Sequence, residues 1–214
     1  GEVRQVVDAD ALLGEGVVWD AQRALVWFVD IKRCLLWSYD PATGHTDNVT
    51  APDQIGWALP CEDGTLLCGL KDGLHNFDPS SRAFTKLMDV PGEPGGNRLN
   101  DACTDPWGRV WFGSMDDAED APSGRFYVLD RGEIRPCGPE NICITNGPAI
   151  NAQGDRIYFT DSVDQKIMVA KLSKDGLGDI LPFVDTAKHF PNAHPDGTVV
   201  DSKNHVWTGL YGGK

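Results

Sequence analysis

RVWFGSM, residues 109–115, is a short apolar run entered from the polar turn DPWG, and it is one of five similar runs in the chain. Beside it stand ALVWFVD (24–30), TLLCGL (65–70), RIYFTD (156–161) and HVWTGL (205–210), whose starts lie 41, 44, 47 and 49 residues apart in chain order. The other four also follow polar turns, respectively DAQR, EDG, NAQGD and DSKN, and another short strand precedes each turn. Trp27, Trp111, Tyr158 and Trp207 recur at one phase. Hairpins repeating at this period predict a β-propeller, whose blades are four-stranded sheets of roughly 40 to 50 residues. The helical alternative fails on pattern: 24 Gly and 14 Pro interrupt the chain every few residues, and no segment keeps an i, i+3, i+4 apolar spacing for three turns.

The rest of each unit fits an all-β propeller of one domain over 1–214. CLLWSYDPATG and HTDNVTAP supply a third and a fourth strand in the first unit, and GLHNFDPSSRAFTKLMDV repeats the plan in the second. GRFYVLDRGEIRPCG and KIMVAKLSKDGLGDILPFV do so in the third and fourth. The expected blades run over about 13–53, 54–96, 97–141 and 142–190, with a fifth begun over 191–214. About four and a half blades are thus expected in the chain.

Composition narrows the ligands. A hydrophobic content of 41% with seven Trp suffices for a packed core, and a net charge of −13 with no Lys or Arg cluster argues against nucleic acid or an anionic membrane. Cations and neutral small molecules are better matched. No apolar run approaches a bilayer span, and GEVRQVVDAD lacks a signal-peptide pattern, so a cytoplasmic location is expected. The six cysteines, Cys34, Cys61, Cys68, Cys103, Cys137 and Cys143, lack CxxC or zinc spacing and read as buried free thiols. His189 and His194 flank a Pro-rich loop, where they are either solvated or ligands.

In a propeller the first strand of each blade is innermost, so its opening residues face the central channel. Counting back 11 or 12 residues from the recurring aromatic gives Glu15, Asn100, Asn146 and Asp196, while the second unit offers Gly56 or Trp57. Singly, Asn146 before Gly147-Pro148, Asp196 in Pro195-Asp196-Gly197 and Asn100 before Asp101 read as turn residues. Together they are four oxygen-bearing side chains at one phase, a costly burial unless something neutralises it. Carboxylate and amide oxygens suit a hard divalent cation, which places a metal site at the channel mouth. Arg98, two residues before Asn100, shares its face and carries a forked set of donors for substrate oxygens. Asp116, Asp117, Glu119 and Asp120 read as a solvated acidic loop from which one residue reaches the substrate.

GEGVVWD (14–20) with WFVDI (27–31), NRLND (97–101) with GRVWFGSM (108–115), ICITNGP (142–148) and PDGTVVD (195–201) resemble the SMP-30/gluconolactonase/regucalcin-like family. ICITNGP with WTGLYGG is similar to bacterial sugar lactonases acting on pentonolactones. The resemblance implies a six-bladed propeller with one divalent cation that hydrolyses a sugar lactone. It implies Glu15, Asn146 and Asp196 as metal ligands, and Arg98 and Asn100 as substrate contacts. A further carboxylate contact falls in GSMDDAED, with the register open between Asp117 and Glu119. Asp196 is the expected general base. Oxygen ligation suits Ca2+, Mg2+ or Mn2+, and the resemblance adds Zn2+ and Fe2+.

Six blades of about 45 residues need roughly 270; the chain has 214. Either a second polypeptide completes the propeller, or a five-unit fragment is held by partner contacts. No GxSxG is present and no histidine shares the blade-start phase, which speaks against a serine hydrolase. The competing readings are a non-catalytic cation-binding or interaction propeller, and a related propeller esterase or phosphotriesterase.

Overall fold

The computed structural model describes residues 4–213. Their strands are β1 (Gly14–Asp20), β2 (Leu25–Asp30), β3 (Leu35–Tyr39), β4 (Thr46–Thr50), β5 (Ile55–Pro60), β6 (Leu66–Leu70), β7 (Gly73–Asp78), β8 (Ala83–Met88) and β9 (Asn97–Thr104). They continue as β10 (Val110–Asp116), β11 (Gly124–Asp130), β12 (Glu133–Ile142), β13 (Thr145–Ile150), β14 (Arg156–Asp161), β15 (Lys166–Ser173), β16 (Gly176–Asp185), β17 (His194–Val200) and β18 (Val206–Tyr211). The five repeated runs are β2, β6, β10, β14 and β18, each the second strand of its sheet. Four sheets are antiparallel meanders of four strands in sequence order, and the fifth is the hairpin β17-β18. Among the described residues the one helical element is a 3-10 turn, Thr186–Lys188.

The described residues fall into two compact units, one ending at Asp89 and the other starting at Val90. In the first unit, β1–β4 and β5–β8 bury Trp27, Val29, Ile31, Leu36, Ile55, Leu66, Leu70 and Phe77 between them. Trp27 meets Phe77 edge-on at 6.3 Å. In the second unit Trp111, Phe126, Val128, Ile157, Phe159 and Leu172 form the core between β9–β12 and β13–β16. A smaller cluster of Ala149, Tyr158 and Ile167 packs on Val200 and Val206 of the fifth hairpin. Burying a side chain of this size contributes about 1.5–3 kcal/mol, so these aromatic and aliphatic layers dominate the stability of each unit.

One side chain braces most of the first hairpins. The Asp105 carboxylate accepts Trp107 N and Arg109 N through Oδ1, closing the turn, and Trp111 Nε1 and Arg109 Nε through Oδ2. Asp20 repeats this with Gln22 N, Arg23 N and Trp27 Nε1, and Asp201 with Lys203 N, His205 N and Trp207 Nε1. In the fourth sheet Asn151 closes the turn onto Asp155 N and Arg156 N. This is the physical content of the repeated polar turn followed by an aromatic: an Asx turn whose spare oxygen ties down the indole.

The six cysteines are unpaired thiols, but burial is complete only at Cys68; the other five are half-buried, short of the fully buried state expected. Among the described residues no helix is long and apolar enough to cross a membrane.

Candidate active site

Every first hairpin carries a one-residue bulge in its first strand. The pairing shifts between Glu15 and Val18, between Asn146 and Ala149, and between Asp196 and Val199, two residues standing opposite one each time. Gly16, Gly147 and Gly197 follow the polar residue directly, with φ of +60°, +69° and +54°. These are bulges built on a left-handed glycine, which bend the strand and re-aim the side chain beside it. The third sheet also slips, with Leu99 opposite Ser114 and Ala102 opposite Phe112, but no positive-φ glycine is present there. Glu15, Asn146 and Asp196 therefore share a backbone device that Asn100 lacks. Glu15 is half-buried on β1 of the first unit. The remaining expected site residues all belong to the second unit.

Asn146 is 3% exposed and fully directed. Its Oδ1 accepts Gly197 N at 3.0 Å, and its Nδ2 donates to Ser162 Oγ at 2.9 Å. The main chain on either side is gripped from β9: Asn100 Nδ2 donates to Thr145 O at 2.7 Å, and Asp101 Oδ2 accepts Gly147 N at 3.0 Å. Asp196 is half-buried, and its main-chain N and O both bond Thr208 Oγ1, at 3.1 and 3.0 Å. Burial pushes the Asp196 carboxyl above its ordinary value; Gly197 N–H, the Asn146 amide and the Arg98 charge offset part of that rise.

Arg98 is 3% exposed, its Nη1 donates to Asn100 Oδ1 at 2.5 Å, and its Nε lies 3.2 Å from Asp117 Oδ1. A guanidinium braced by a carboxylate and an amide keeps a fixed plane, which suits it to orienting a polar ligand. Asn100 thus uses both ends of its amide within the protein, on Arg98 and on Thr145. Of the two acidic residues left open by the sequence, Asp117 meets Arg98, whereas Glu119 is exposed at φ +62° and offers its main-chain carbonyl to Cys143 Sγ at 3.2 Å. Asp116 organises the loop by accepting Asp120 N and Ala121 N, each at 3.0 Å; these bonds, the Asp120 one foremost, hold its carboxyl below the ordinary value. His189 is exposed, and His194 Nδ1 is bonded to Ser162 O at 2.9 Å.

The sequence reading passed over Ser162, Asp101 and Thr208. Asp101 was visible beside Asn100 in NRLND, but Ser162 and Thr208 carry no local signature, being brought to Asn146 and Asp196 by strand pairing alone.

Among the described residues no group of three or more His, Cys, Asp or Glu is placed to hold an ion. The donors gathered here are oxygens of a carboxylate and an amide, hard ligands that fit a divalent cation. The raised Asp196 carboxyl fits as well, since a cation would relieve the burial of its charged form.

The family model described as SMP-30/Gluconolactonase/LRE-like region matches residues 13–214. The chain belongs to this family. It is 31% identical over 225 residues to L-arabinolactonase of Azospirillum brasilense, covering 100% of this chain and 72% of that protein. It is 30% identical over 216 residues to Pentonolactonase XacC of Haloferax volcanii, covering 99% and 71%. Among solved structures, the calcium-binding protein regucalcin of Agrobacterium tumefaciens superposes with a TM-score of 0.88 at 25% identity, over 94% of this chain and 68% of that one. The fold is accordingly the all-β propeller of these family members, and the four-stranded sheets are its blades.

Proposed function

We propose that the chain carries the catalytic residues of a sugar-lactone hydrolase, which adds water across the ring ester to give the aldonic acid with one divalent cation held on oxygen ligands. The observation that carries this reading is the coupling of Asn146 to Asp196: both sit on matching glycine bulges, Gly197 N joins them, and the Arg98 charge acts on the same carboxylate. The lactonase names of two relatives at about 30% identity support the substrate class.

Asn146 and Asp196 are the residues of the second unit that would hold the cation, and Glu15 carries the same device in the first. A bound divalent ion supplies Lewis acidity that polarises the lactone carbonyl and offsets oxyanion charge. Asp196 takes a proton from the attacking water, acting as the general base. As the water oxygen bonds the carbonyl carbon, the ring C–O bond breaks, and the same proton passes to the departing ring oxygen. Arg98, held in plane by Asp117 and Asn100, donates to sugar oxygens and fixes the lactone relative to Asp196. Asn100 acts by orienting Arg98 and anchoring Thr145.

The test is hydrolysis of a panel of aldonolactones and one phosphotriester, with and without EDTA. Lactone turnover that EDTA abolishes and divalent ions restore supports the proposal, and turnover indifferent to chelation refutes the cation's role. Phosphotriester turnover without lactone turnover would favour the esterase reading. A second reading, cation binding without catalysis, is favoured by the likeness to a calcium-binding protein; it predicts Ca2+ binding with no turnover of any panel member.

A further inference from the structure

Two independent neighbours dictate how the Asn146 amide lies. Gly197 N–H can only donate, so the atom facing it at 3.0 Å must be Oδ1. On the other side, Ser162 Oγ lies 2.7 Å from Pro195 O, an acceptor with no proton to give. The hydroxyl proton is therefore committed to Pro195, and Ser162 Oγ can only accept from Asn146, which must present Nδ2. Ser162 is 4% exposed, directly follows β14, and its main-chain N–H continues the ladder onto Ile144 O at 3.1 Å. The strand holds the hydroxyl in place, and the hydroxyl in turn leaves Oδ1 with a second lone pair beyond the one given to Gly197.

We infer that Ser162 is a positioning residue for the cation site: its hydroxyl fixes the Asn146 amide with Oδ1 as the outward ligand atom, and its bond to Pro195 O holds the segment carrying Asp196 in register with it. This rests on the proposed function in taking Asn146 and Asp196 as ligands. Removing the hydroxyl strips Nδ2 of a buried partner and frees the amide to rotate. Residues that orient ligand side chains typically contribute 10–100-fold to ion affinity, so a loss of about that size is expected.

The structure supplies a matched control. Thr160, on β14 directly opposite Asn146 in the ladder, ties the same strand to β17 through Thr198 Oγ1 at 2.8 Å, and this hydroxyl bond does not involve the Asn146 amide. The experiment is Ca2+ and Mn2+ titration calorimetry on the 214-residue chain and its variants, with thermal midpoints measured in EDTA. Ser162→Ala is expected to weaken ion binding roughly 10–100-fold, and Ser162→Thr, which restores the hydroxyl, to stay within about threefold of the starting chain. Thr160→Val is expected to lower the midpoint in EDTA while leaving ion affinity unchanged. Should Ser162→Ala fail to fold, Ser162→Cys keeps the side-chain shape with a poor acceptor and is expected to show the same loss. Unchanged affinity in the Ser162 variants, or an equal loss in Thr160→Val, overturns the assignment while leaving the cation site standing. Absence of ion binding in the unmodified chain overturns the cation site, and this assignment with it.

Discussion

Asp196→Asn separates the chemistry of the site from its architecture. The substitution keeps the side-chain shape and one ligating oxygen but removes the base. The segment stays pinned, because its main-chain bonds to Thr208 Oγ1, at 3.1 and 3.0 Å, do not involve the side chain, and Gly197 N still reaches Asn146 Oδ1. Folding is therefore expected to survive, with the thermal midpoint in EDTA moving by no more than about 2–4 °C, equivalent to about 1 kcal/mol in a chain of this size. Catalysis is not expected to survive. A positioned general base contributes about 10²–10⁴-fold, so kcat should fall by that factor, or about 2.7–5.5 kcal/mol of activation free energy. Arg98, Asn100 and Asp117 are unaltered, so KM should change by less than about threefold, the mark of an interaction made chiefly in the transition state. The assay is proton release on lactone opening, followed with a pH indicator in a weak buffer, alongside calorimetric melting. A variant retaining more than about a tenth of the kcat would remove Asp196 from the proton transfer. A collapsed midpoint with proportionate loss of activity would make its role structural.

Arg98→Lys keeps the charge but cannot span Asp117 and Asn100 together, so KM is expected to rise about tenfold or more with a smaller change in kcat, measured on the same lactone; an unchanged KM would take Arg98 out of substrate binding. Asp105→Ala strips the buried Arg109 guanidinium and Trp111 Nε1 of their shared acceptor, a broken pair of about 3–5 kcal/mol, and urea unfolding should show most of that loss; a loss below about 1 kcal/mol would deny the brace its role. In Asp20, burial pushes the carboxyl up, but the bonds from Trp27 and Arg23 outweigh it and leave the folded carboxyl below its ordinary value. Its contribution is therefore present above the unfolded value and lost as pH falls through the folded one, so Asp20→Asn should flatten the decline of the urea midpoint below about pH 4. An equally steep decline in the variant would contradict that linkage.

The strands were legible because the same physics writes them repeatedly. An Asx turn, a β-rich run and an aromatic whose ring nitrogen returns to the turn make a local signal, so RVWFGSM, RIYFTD and HVWTGL fall within a residue of β10, β14 and β18. The site was half legible. Glu15-Gly16, Asn146-Gly147 and Asp196-Gly197 are visible as dipeptides, but a left-handed glycine serves a turn and a bulge equally, and only the pairing register tells them apart. Asp117 and Glu119, two residues apart, would share a face of an extended strand, so alternation could not separate them; the turn that follows β10, with Glu119 at φ +62°, brings Asp117 alone of the two to Arg98. Ser162 was illegible because nothing local marks it: it lies 16 residues from Asn146 and 33 from Pro195, and its role exists only where three strands meet.

The brace and the bulge lie at opposite ends of each first hairpin, and comparison of the sheets shows them to be separable. The fourth sheet keeps the bulge with Asn146 although Asn151 and Tyr158 replace the Asp and Trp of the brace. The turn is still closed, by Asn151 Oδ1 on Asp155 N and Arg156 N, so the polar cap is what the hairpin requires and the indole bond is additional. The third sheet shows the reverse: a complete Asp105–Trp111 brace, but Asn100 on a bulge without its glycine. There the side chain bonds its neighbours at both ends, Thr145 O and Arg98 Nη1. The second sheet has neither the brace nor a left-handed glycine at its bulge, with Leu67 at the aromatic phase and Trp57 beside the bulge, its indole packed over Gly69 so closely that a Cβ there would lie 2.2 Å from the ring. Where the glycine is kept, the residue before it is Glu15, Asn146 or Asp196; where it is missing, the position serves packing or orientation. The glycine bulge, more than the identity of the polar residue, is thus the feature that distinguishes a candidate ligand from a supporting residue among these repeats.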